Sequence, residues 1–172
     1  TLGLPPHITS TTGMDALTHA VEAYIGKSNT SQTKLMAEKA VKLIFENLVA
    51  AYEDGSNFKA RENMLTGSYY AGVAFTRAYV GYVHAIAHTL GGFYHTPHGL
   101  ANSVILPVVL EFYGESVYKK LARLADIVGI AGESDEVKAK AFIQAIKDMN
   151  KKMNIPEKFI DTIKEEDIPL MV

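Results

Sequence analysis

No cysteine and no tryptophan occur in the 172 residues of this chain. Without thiols there is neither a disulfide frame nor a thiolate metal ligand, a composition that suits a reducing, cytoplasmic compartment. No run of about 20 apolar residues is present, so no segment is expected to span a membrane, and no basic-then-apolar leader opens the chain. Basic clusters are missing as well, and a net charge of −2 gives no electrostatic basis for binding nucleic acid or an anionic membrane. Alternating apolar and polar stretches between turn residues are absent, as are repeats and low-complexity tracts, which argues against a sheet. What is there, 48% hydrophobic and 21% charged residues, is ordinary for a globular domain.

The remaining pattern is helical. Leu2 to Thr12, with Pro5-Pro6, reads as an extended lead-in. Met14 to Ile25 is apolar on most sides, the mark of a buried helix, yet it carries Asp15, His19 and Glu22. Thr33 to Tyr52, Phe58 to about Ala78, Glu115 to Val128 and Asp135 to Met153 read as further helices, most of them amphipathic. Ala101 to Phe112 is apolar throughout, and Pro107 is expected to kink it. A tail from Asn154 holds one short helical turn. The fold class is therefore all-α, a multihelical domain.

Four of the six histidines fall between Gly81 and Gly99. His84 and His88, four residues apart, share a helix face. Gly91-Gly92 is expected to stop that helix, and Thr96-Pro97 then returns the chain to deliver His98. Asp15 and His19 form a second pair with the same spacing. For Asp15 alone, a structural bond to His19 or a role at the helix dipole would suffice. Together with the histidine cluster the pair points to a metal site. Imidazole and carboxylate donors without sulfur suit divalent iron, zinc, cobalt or nickel.

Spacing removes some metal chemistries. Ala85 occupies the place of the catalytic glutamate in a protease zinc helix, and no histidine has glutamate three residues before it, as a di-iron bundle requires. A two-histidine facial triad stays open by ligand type, with no support from an all-helical fold. His95 reads as a cleft-lining loop residue and His7 as surface. Glu22 either orients a ligand or pairs with a cation on another helix. Geometry alone leaves His84 and His88 equivalent as ligands.

The stretch Thr12-Gly13-Met14-Asp15-Ala16-Leu17-Thr18-His19-Ala20-Val21-Glu22-Ala23-Tyr24 resembles the first signature of the iron-containing (group III) alcohol dehydrogenases. Gly81 to Asn102, with His84-Ala85-Ile86-Ala87-His88 and Pro97-His98-Gly99-Leu100-Ala101-Asn102, resembles their second. The likeness runs from about Leu4 to beyond Pro107 and continues loosely to the end.

That resemblance implies metal ligands at Asp15, His19, His84 and His98. His88 is implied to face the nicotinamide and substrate, as both a catalytic and a cofactor-binding residue. His19 sets the chain apart from the related glycerol dehydrogenase branch. The implied cofactors are Fe(2+), with Zn(2+) the other fit, and NAD or NADP. The implied reaction interconverts small primary alcohols or diols and aldehydes by hydride transfer. Family members join this helical, dehydroquinate synthase-like domain to an N-terminal Rossmann-like domain. No glycine-rich strand–turn–helix occurs here, Pro5-Pro6 falls where the family crosses between domains, and the chain opens on Thr1 rather than Met. Residues 1–172 are thus expected to be the metal-binding domain of a two-domain enzyme, inactive by itself. It would leave Phe93, Tyr94 and Val104 uncovered and prone to homo-oligomerise. The contrasting reading is a non-catalytic helical metal-binding or interaction module.

Overall fold

The structure, a computed structural model, describes residues 1–159 and 163–171. The expected domain, 1–172, thus includes four positions (160–162 and 172) outside the described residues. Seven helices carry the fold: α1 (Pro6–Ile25), α2 (Ser31–Glu53), α3 (Phe58–Ala78), α4 (Tyr82–Tyr94), α5 (His98–Tyr113), α6 (Glu115–Ile127) and α7 (Asp135–Lys152). A 3-10 turn at Glu165–Asp167 leads into the short α8 (Ile168–Met171). Among the described residues there is no strand, and no helix is long and apolar enough to cross a membrane.

Helix α1 is the axis around which the others pack. Met14, Leu17, Ala20, Val21 and Ala23 have no exposed surface. Burial on every side is what a helix without a polar face requires. Its neighbours are α2, α3 and α5, while α6 and α7 pair with each other. Close approach to α5 depends on Gly99, where an added Cβ would lie 2.5 Å from the Thr11 carbonyl oxygen. The stripe Ala139, Phe142, Ile143, Ile146 and Met149 closes the core from α7.

Local chemistry sets the helix ends. Thr30 and Thr33 cap α2 reciprocally, each hydroxyl accepting from the other residue's backbone N–H at 3.2 and 2.8 Å. Asn57 Oδ1 accepts from Ala60 N at the start of α3, and Ser134 Oγ from Val137 N at the start of α7.

Three expectations need correction. The lead-in is helical from Pro6, because proline at the first helical position lacks only an N–H that would be unpaired there anyway. Gly91-Gly92 does not stop α4, which runs on to Tyr94; the stop is His95, left-handed at φ 54°. Val104 is buried rather than uncovered, although Phe93 is 45% exposed. Tyr94 is half-buried, its hydroxyl donating to Asp167 Oδ2 at 2.6 Å. An apolar groove of about 690 Å³ opens between α4, α5 and the tail, with Ile86, Val108 and Phe159 in its walls.

Pro107 lies inside a continuous α5. Having no N–H, it leaves the Ser103 carbonyl without its helical donor. Asn150 of α7 supplies the missing bond, its Nδ2 donating to that oxygen at 2.7 Å.

Candidate metal centre

Helices α1, α4 and α5 meet at Asp15. One donor atom each from Asp15, His19 and His84 lies within 4.8 Å of the others. Asp15 and His19 reach the point from successive turns of α1, with Asp15 Oδ2 3.9 Å from His19 Nδ1. His84 enters from the first turn of α4, its Nε2 3.5 Å from Asp15 Oδ1. At that separation the attraction is ionic rather than a hydrogen bond, and the buried Nε2 has no hydrogen-bond partner. An imidazole nitrogen aimed at a carboxylate with nothing to bond to is a donor set that fits a divalent cation.

His98, the first residue of α5, stands at the edge of this set. Its Nε2 is 3.3 Å from Asp15 Oδ1, and the side chain is 44% exposed. Asn102, one turn along α5, is fully buried and ties the two together. Its Nδ2 donates to Asp15 Oδ1 at 2.6 Å and lies 3.0 Å from His98 Nε2. His88 is exposed and stacks on His98 with ring centroids 5.2 Å apart. His95 and His7 are exposed and stand outside the cluster.

A ring stack steadies His19 between Phe75 of α3, at 4.2 Å, and His84, at 4.3 Å. Glu22, whose role the sequence left open, is buried and turned to His84, its Oε2 2.6 Å from Nδ1.

The electrostatics differ from group to group. Burial disfavours charge on His19 and outweighs the attraction of Asp15, bringing its pKa down to about 4. Burial also opposes charge on His84, but the two carboxylates beside it, Asp15 at Nε2 and Glu22 at Nδ1, overcome it and raise the pKa to about 9. Burial pushes the Asp15 carboxyl up; His84, the charge of His19, Asn102 and His98 together prevail and leave it below its ordinary value.

Asn102 and Phe75 drew no notice as site residues in the sequence. The i, i+4 spacing of Asn102 from His98 was a usable signal. Phe75 gave none, since only the crossing of α3 over α1 brings it to His19.

Fold and cluster together define a helical domain built around an imidazole–carboxylate cluster. The chain belongs to the Fe-containing alcohol dehydrogenase family: residues 9–172 match the model of its C-terminal part. Alcohol dehydrogenase 4 of Saccharomyces cerevisiae is 45% identical over 172 residues, covering 98% of this chain and 44% of that protein. The 1,3-propanediol dehydrogenase of Klebsiella pneumoniae is 46% identical over 173 residues, covering 99% of this chain and 45% of its own length. A crystal structure of 1,3-propanediol oxidoreductase superposes with a TM-score of 0.95 at 45% identity, over 99% of this chain and 46% of that one. The chain thus spans a little under half the length of these relatives.

Proposed function

We propose that residues 1–172 form the metal-bearing helical domain of an NAD(P)-dependent dehydrogenase that interconverts small primary alcohols or diols and aldehydes. The observation that carries this reading is the convergence of Asp15, His19 and His84 within 4.8 Å, in a chain of this family. Asp15, His19, His84 and His98 are the ligands, and Fe(2+) or Zn(2+) suits their nitrogen and oxygen donors. When bound, the metal supplies a Lewis acid for a substrate oxygen, and NAD or NADP from the nucleotide-binding half of the enzyme supplies or accepts hydride.

The chain's own residues prepare that chemistry. His19 is held neutral by burial, so its nitrogen is free to donate an electron pair. Asp15 is held anionic, and Asn102 fixes its Oδ1. Phe75 and His84 clamp the His19 ring between them. His88, exposed on α4 and stacked on His98, aligns the nicotinamide and passes a proton to solvent in this reading.

A metal titration tests the ligand set. His84→Ala and His98→Ala should abolish stoichiometric Co(2+) or Zn(2+) binding, whereas His95→Ala should leave it intact. Equal losses from His95→Ala and His98→Ala would overturn the assignment.

A further inference from the structure

The N-terminus of α4 has no cap of its own. Gly81, at the N-cap position, offers no side chain, yet the Val83 N–H is buried in the first turn. Glu22 supplies the missing acceptor from α1: its Oε1 takes the Val83 N–H at 2.8 Å. The other oxygen of the same carboxylate, Oε2, lies 2.6 Å from His84 Nδ1. Asp15, His19 and Glu22 stand at i, i+4 and i+7 on α1, so one helix face presents two candidate ligands and this clamp. Gly81 makes the arrangement possible, because an added Cβ would lie 2.9 Å from Glu22 Oε1.

We propose that Glu22 is the positioning residue of the metal centre, acting through His84. The inference rests on the metal reading above. Both atoms facing the carboxylate are donors: a backbone N–H that cannot change, and Nδ1 when it carries its proton. A carboxylate accepts from both at once. It thereby keeps a ring proton on Nδ1 when the one on Nε2 leaves, so that a metal at Asp15 takes that proton's place at Nε2. An amide in the same place cannot do this. With its oxygen on Val83, glutamine presents an NH2 group to Nδ1, which favours the ring proton on Nε2. The same carboxylate also sets where α4 begins, so the backbone bearing His84 is held to the helix bearing Asp15 and His19.

The test is Co(2+) titration of the 172-residue chain, following both affinity and the visible ligand-field spectrum. Wild type should bind one equivalent. Glu22→Gln should bind about 10–100-fold more weakly, the range for losing a partner behind a ligand, with an altered spectrum and unchanged helical circular dichroism. Gly81→Ala keeps every charge and touches no ligand, but crowds Glu22 Oε1. It should move affinity and spectrum in the same direction, and it decides the matter if Glu22→Gln does not fold. If wild type binds and the folded variants match it in affinity and spectrum, the positioning role is wrong and the metal reading stands. If wild type takes no Co(2+), both fall.

Discussion

At the scale of single residues, neighbouring imidazoles of one cluster are driven in opposite directions. His84, ordinarily titrating at 6.5, is raised to about 9, so the folded chain binds more protons there than the unfolded chain between those values. Stability from this group is fully present below pH 6.5 and is lost as pH rises through 9. His19, lowered to about 4, has the reverse sign: its contribution is complete above 6.5 and fades as pH falls towards 4. The metal-free chain should therefore be most resistant to denaturant near pH 6.5 and weaken on either side. Urea unfolding from pH 5 to 9 checks this, with His84→Ala expected to flatten the alkaline limb. An alkaline limb unchanged in that variant would remove His84 as its cause.

At the scale of elements, the bond from Asn150 to Ser103 shows how α5 accommodates a proline. Asn150→Ala leaves a buried carbonyl without a donor and should lower stability by about 1 kcal/mol. Pro107→Ala restores the helical N–H to that same carbonyl, so in its background the loss from Asn150→Ala should shrink. Denaturant unfolding of the two single variants and the double variant measures the coupling. Strictly additive losses would show that the two groups do not share Ser103. Such pairings explain how much could be read from the sequence. Helices α2, α3, α6 and α7 were legible because their apolar spacing is set locally. Pro6 and Gly91-Gly92 misled because a proline's or glycine's effect depends on its place in the helix. Proline is harmless at the first position of α1, and each glycine in α4 merely lacks a side chain. Asp15, His19 and the histidine cluster could be found from spacing alone. The choice of His84 over His88 rested on family resemblance, and Phe75 and the partner of Glu22 depend on helix crossings that no local pattern encodes.

At the scale of the whole molecule, the function proposed above makes the cluster one wall of a reaction site. Hydride transfer requires the nicotinamide within about 3–3.5 Å of the substrate carbon in an aligned pose. A glycine-rich turn leading from a strand into a helix usually grips the pyrophosphate, and the described residues contain no strand. The 172-residue chain alone should show no NADH or NADPH oxidation with short aldehydes above background. Joined to the nucleotide-binding half of a relative, it should turn over. Equal rates from both would place the cofactor site within these residues.

The central position of α1 has a consequence for biosynthesis. This helix leaves the ribosome ahead of α2, α3 and α5, which pack against it. The α2–α3 pair follows soon after, but α5, starting at His98, lies far downstream of Pro6. At translation rates of about 5–20 residues per second, the delay is on the order of 5–20 s. Throughout that interval the α5-facing side of α1 lacks its α5 cover, the kind of transient apolar exposure that chaperones shield. Codon choice between α3 and α5 would lengthen or shorten this exposure without altering a single contact in the finished protein.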